Sequence, residues 1–78
     1  MRNKDELATA RDRHNATAEH SWRRAKWFVR NGLDAKAIEE YQRANHHSAI
    51  AFAIGQQLMV YEIEEEMAVM QVEEWLAA

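Results

Sequence analysis

The sequence predicts an all-α chain, and three observations carry that prediction. It has no proline, only two glycines and fourteen alanines among 78 residues, so little interrupts a helix and much favours one. Apolar residues recur at helical spacing along most of the chain. The pattern pauses at only two places, Asn31-Gly32 and Asn45-His46-His47-Ser48, both of which read as helix boundaries. The expected architecture is a single domain over residues 1–78, built as a helical hairpin or a three-helix chain. Its helices are expected to cover about 4–31, 35–45 and 48–77.

The first helix follows from its stripe. At about 100° per residue, Leu7, Ala10, His14, Ala18, Ser21, Ala25, Phe28 and Val29 lie on one face, with Trp22 at its edge. The first half of that face is rich in alanine, so it packs closely or frays. Gly32 suits a left-handed position after the helix, and Leu33 can fold back on the last turn. The second helix has its own start signal. Asp34 is a good N-cap, and Leu33 with Ile38 forms a hydrophobic staple around it. Ile38, Tyr41 and Ala44 are then expected to point inward. The short Leu33-Asp34 connection implies a sharp reversal.

Residues 45–48 read as a break or kink, with Asn45 or Ser48 capping a new helix. That last helix carries two apolar seams. One is Phe52, Met59, Ile63 and Met70; the other is Ile50, Ile54, Tyr61, Ala68, Val72 and Trp75, with Leu58, Val69 and Leu76 nearby. Only a narrow line through Ser48, Gly55, Glu62, Glu66 and Glu73 looks suited to water. Ser48, Ala51 and Gly55 form a flat track. A helical glycine costs about 1 kcal/mol against alanine, which close approach of a second subunit would offset. A β-hairpin over "AIAFAI" and "MVYEIE" is the rival, but Gly55-Gln56-Gln57 lacks the Asn-Gly or Asp-Gly of a tight turn.

Size argues for assembly. A domain of this length buries only about 60% of its unfolded surface and usually needs a disulfide, a metal or a second subunit. There is no cysteine, which removes disulfides and thiolate metal sites and fits a reducing cytoplasm. A helical-bundle homodimer is therefore expected, with Ile50, Ile54, Leu58, Tyr61, Val72 and Trp75 at its interface. The N-terminus lacks the apolar stretch of a signal peptide. The longest apolar run, "AIAFAIGQQLMVY", falls short of the roughly 20 residues that span a bilayer. A soluble protein with a complete small reading frame is expected, with no membrane partner.

Charge is unevenly distributed. Residues 1–36 hold nine Lys/Arg against five Asp/Glu, a net +4, while residues 37–78 hold one Arg against eight Glu, a net −7. Two helices of opposite charge could meet within the fold or across a dimer, or the basic head could seek an acidic partner.

Chemical signatures are sparse. His14, His20, His46 and His47 show neither the i, i+4 pairing of a zinc helix nor a Glu-x-x-His motif, so no metal or other cofactor is expected. His14 reads as a hydrogen-bonded core histidine, and one of His46 and His47 as turned to the core. No phosphate-cradling glycine loop or nucleophile elbow is present, and the Glu62–Glu66 cluster reads as a solvated face. The chain is read as a non-enzyme.

The most informative stretch is "WRRAKWFVRNGLDAKAI". Trp22 borders the apolar stripe, whereas Trp27 lies about 150° from its centre, among His20, Arg23, Arg24 and Arg30. Exposed Trp and Arg are enriched in binding hot spots and also suit nucleic-acid backbones. Packing of Trp27 on Leu33 or the second helix, or burial of Trp27 in an oligomer interface, is the structural alternative. A helix-turn-helix over residues 34–57 is disfavoured, because "SAIAFAIGQQ" offers no cation to phosphate. The expected function is a protein-interaction or regulatory module whose basic Trp27 face binds an acidic protein surface. The alternative is a small nucleic-acid-binding regulator using the same face. In style, a small cysteine-free helical chain is similar to the accessory proteins of phages and mobile elements, although it carries no family motif.

Overall fold

The computed structural model describes residues 3–77, which form two helices, α1 (Lys4–Arg30) and α2 (Asp34–Ala77). They pack against each other as one antiparallel hairpin with extents of 69 × 16 × 14 Å. No strand occurs among the described residues, so the β-hairpin rival is set aside. None of the helices is long and apolar enough to cross a membrane.

Each helix end has a local cause. Asn3 caps α1: its side chain accepts the Glu6 N–H at 2.8 Å, and Asp5 and Glu6 place negative charge on the positive end of the helix dipole. At the other end, the Leu33 N–H reaches the Phe28 carbonyl at 2.9 Å and the Gly32 N–H reaches that of Val29 at 3.1 Å. These are the paired bonds of a Schellman cap, and they require the positive φ of 71° that Gly32 adopts. The Asn31 side chain adds a bond to the Trp27 carbonyl at 2.8 Å.

The start of α2 differs from the expected cap. Asp34 is its first helical residue, and the Leu33 carbonyl accepts the Ala37 N–H at 3.0 Å. Asp34 thus contributes charge to the first turn instead of serving as the cap. Ile38 is exposed, and Ala37, Glu40 and Ala44 turn inward in its place.

The expected break at 45–48, and with it the three-helix chain, is overturned: α2 runs through these residues without interruption. Asn45 and His46 are exposed and place no demand on the backbone, while His47 is drawn inward. Nothing in the segment forbids helical φ and ψ, since it contains neither proline nor glycine.

The packing has a seven-residue rhythm. On α2, Ala37, Ala44, Ala51 and Leu58 are buried at successive steps of the repeat, and Ala18 and Ala25 answer them on α1. Between them lie Leu7, His14, Ser21 and Phe28 on α1, and Glu40, His47, Ile54 and Tyr61 on α2, all buried or half-buried. This is the pattern of a two-stranded coiled coil, with alanine where leucine is usual. Small side chains let the helices approach closely. Of the Ser48-Ala51-Gly55 track, Ala51 is buried, Gly55 is half-buried with Arg11 Cδ 4.0 Å from where its Cβ would stand, and Ser48 is exposed.

The helices are unequal. α1 has 27 residues and α2 has 44. Lys4 Nζ lies 3.1 Å from Glu65 Oε2, which places the start of α1 beside Glu65. The dozen residues after Glu65 therefore continue about 18 Å past α1.

Candidate interaction surface

The closed end of the hairpin presents the predicted basic face, but does not present all of it equally. Trp27 is 56% exposed, its ring edge-on to Phe28 at 5.4 Å. His20 and Arg30 are also exposed. Arg23 donates to Glu19 at 2.6 Å along the same helix, an exposed pair of the kind that contributes only tenths of a kcal/mol. Arg24 is engaged inward. Its guanidinium lies 3.6 Å from Glu40 Oε1 and 5.7 Å from the Phe28 ring centroid. Lys26, Arg30 and Lys36 make no ion pair among the described residues, although Lys36 sits over Phe28 at 5.9 Å. Trp22 is 41% exposed and meets Tyr41 edge-on at 5.2 Å, the marginal position its sequence spacing implied.

Glu40 escaped the sequence reading. It is buried between Arg24 of α1 and Arg43 of α2, 3.7 Å away, and its Oε2 has no hydrogen-bond partner. Desolvation offsets most of the attraction in such a buried carboxylate–cation cluster, so its net contribution to stability is small. The signal that could have found it is the seven-residue alanine spacing, which puts position 40 on the inner face.

The histidines form one interhelical contact. His14 Nδ1 and His47 Nδ1 are 2.8 Å apart, with rings stacked at 5.1 Å between centroids. One nitrogen must donate and the other accept, so the contact needs at least one neutral ring. Desolvation, followed by the nearness of His14, His46 and Arg43, holds His47 below the ordinary histidine range. No group of three or more metal-ligating side chains gathers among the described residues.

A second surface feature lies on α2. The seam of Phe52, Met59, Ile63 and Met70 faces outward, with Phe52 68% exposed. The other seam splits. Leu58 is buried and Ile50, Ile54 and Tyr61 are half-buried within the hairpin, whereas Val72 and Trp75 lie beyond the reach of α1, Trp75 at 78% exposure. Met67, Val69, Met70 and Leu76 are exposed around the same overhang. A groove lined by Arg11, Phe52, Gly55 and Met59 runs beside the first seam. Among the described residues the buried apolar set is five alanines and one leucine, while fifteen large apolar side chains are exposed. This inverts the usual order, in which large apolar side chains are the buried ones.

Comparison with protein-family models, curated proteins and solved structures finds no match.

Proposed function

We propose that the chain is a non-enzymatic protein-interaction module that works in the cytoplasm as a homodimer of helical hairpins. Its basic, Trp27-centred face binds an acidic protein surface. The observation that carries this reading is the inversion just described: small residues fill the inside of the hairpin and large ones lie outside it. A hairpin held mainly by alanine methyls removes little apolar area from water, and stabilisation scales with that area at about 25 cal/mol per Å². Covering Phe52, Met59, Ile63, Val72 and Trp75 with protein would supply what the hairpin lacks. Trp27 supports the second half of the reading, because an exposed indole beside Lys26 and Arg30 combines apolar area with charge.

Nucleic-acid binding by the same face is the second reading. It rests on Trp27 with Lys26 and Arg30, and is opposed by eight glutamates in residues 37–78, which repel phosphate. Two assays on the same preparation separate the readings. Pull-down from lysate, with Trp27→Ala as control, should retain protein that the variant loses. A gel shift with mixed DNA and RNA at low salt should show no retardation. Retardation lost in Trp27→Ala, without protein capture, would replace the first reading with the second.

A further inference from the structure

The two ends of the hairpin carry opposite charge and similar apolar content. At the closed end, residues 22–43 hold six Lys/Arg against three Asp/Glu, with Trp22, Trp27, Val29, Leu33 and Ile38 exposed. At the far end, residues 62–77 hold six Glu and no cation, with Ile63, Met67, Met70, Val72, Trp75 and Leu76 exposed. Lys26, Arg30 and Lys36 at one end, and Glu62, Glu64, Glu66, Glu73 and Glu74 at the other, have no ion-pair partner among the described residues. The two ends cannot meet within one copy, because they sit at opposite ends of a 69 Å rod.

We propose that the acidic surface recognised by the Trp27 face is the overhanging end of α2 from a second copy of this chain. The two hairpins lie side by side and antiparallel. Each places its acidic overhang along the partner's basic closed end, so one two-fold axis makes the contact twice. The inference rests on the reading of the Trp27 face as a site for an acidic protein, and it names that protein.

Charge selects this arrangement over two others that would also cover the overhang. Overhang against overhang sets Glu66, Glu73 and Glu74 of one copy against the same three of the other. A parallel pair does the same, and also sets closed end against closed end. Like charges across an interface disfavour the wrong geometry by several kcal/mol. Only the antiparallel side-by-side pair joins unlike charge at both ends while covering apolar side chains at both. The outward-facing Phe52 and Met59 lie near the middle of the rod and would sit at the centre of such a pair.

The test is a charge exchange followed by sedimentation velocity on the full chain. One variant reverses the closed end (Lys26→Glu, Arg30→Glu, Lys36→Glu). The other reverses the overhang (Glu66→Lys, Glu73→Lys, Glu74→Lys). All six positions are exposed, so helicity by circular dichroism should be retained in both. Each variant alone should dimerise at least about tenfold more weakly than the wild type. An equimolar mixture should recover the dimer, because each reversed end then meets an unlike partner on both sides. A spin label on Gln71→Cys reads the orientation independently. Antiparallel pairing puts the two labels roughly 45 Å apart, whereas parallel or overhang-to-overhang pairing brings them within about 20 Å. Failure of the mixture to recover, a short label distance, or a wild-type mass of 9.1 kDa at every concentration would each overturn the inference. If the wild type is monomeric and Trp27→Ala still loses a heterologous partner, the Trp27 face remains a protein-binding site while the homodimer and this inference both fall.

Discussion

From Asp34 to Tyr61, α2 has α1 on one side; after Glu65 it has no neighbour. The two stretches belong to one continuous helix, yet they follow different rules. In the first stretch the inner positions are alanine, with Glu40 and His47 between them, and the apolar bulk is turned outward. In the overhang Val72, Trp75, Leu76 and Met70 surround the helix, and no position is buried. The first stretch is specific and weakly apolar. The second is strongly apolar and unspecified until something covers it. One helix thus holds two environments: a paired stretch with small residues inside, and an overhang with large apolar residues exposed.

Enlarging a side chain in each stretch should break that comparison most sharply. Ala44 is fully buried between the helices, so Ala44→Leu should destabilise the hairpin by about 1–3 kcal/mol through overpacking. Ala68→Leu, one seam position into the overhang, should change the melting temperature by no more than a few degrees. Thermal denaturation followed by circular dichroism compares the two, and equal losses would mean that the overhang is as tightly packed as the hairpin.

The tryptophans give the next largest contrast. Trp22→Ala removes a partly buried ring from Tyr41 and should lower stability by roughly 2 kcal/mol, less than for a fully buried aromatic. Trp27→Ala should leave folding of the hairpin nearly unchanged while weakening partner binding, where loss of an aromatic anchor often costs about 2 kcal/mol. Denaturant titration and a binding assay on both variants separate the two roles. Gly32→Val should cost more than about 1 kcal/mol. No atom lies within 4 Å of a Cβ at Gly32, so the whole loss is conformational, from forcing a β-branched residue to positive φ. Gly32→Asn should recover part of it, since asparagine tolerates that region.

The histidine contact predicts a smaller, pH-dependent effect confined to the paired stretch. His47 is held below its ordinary value of 6.5 in the fold, so the unfolded chain binds the proton more readily. Stability from this contact is complete above about pH 6.5 and is lost as pH falls below it, through the folded value. Melting temperatures between pH 7.5 and pH 5 should decline in the wild type and flatten in His47→Gln. A decline of the same size in the variant would assign it to other groups.

Much of this was legible in the sequence. The stripe on the first helix, the Gly32 reversal, the marginal Trp22 and the exposed Trp27 all follow from single-helix periodicity and turn chemistry. What was not legible depended on the second helix. Residues 45–48 look like a joint because Asn, His and Ser are poor helix formers, but a long helix overrides local propensity when flanking turns pack. The inner face of α2 departs from expectation because side-chain bulk is a poor mark of burial in this helix. Ile38 and Phe52 are larger than Ala37 and Ala51, yet the smaller pair is inside. The seven-residue alanine spacing was the stronger signal, since it matches the same spacing on α1. Ile50, Ile54, Leu58 and Tyr61, expected at a dimer interface, help close the hairpin itself. A substitution such as Tyr61→Glu would therefore disturb folding and assembly together.

Backbone hydrogen exchange of the wild-type chain, measured across a concentration series, tests the central claim most directly. An isolated dozen-residue helical extension in water is marginal and frays, so its amides exchange quickly unless protein covers them. Amides of residues 66–77 should become protected as concentration rises, approaching those of residues 37–58. Fast exchange in 66–77 at every concentration, alongside a protected hairpin, would contradict it.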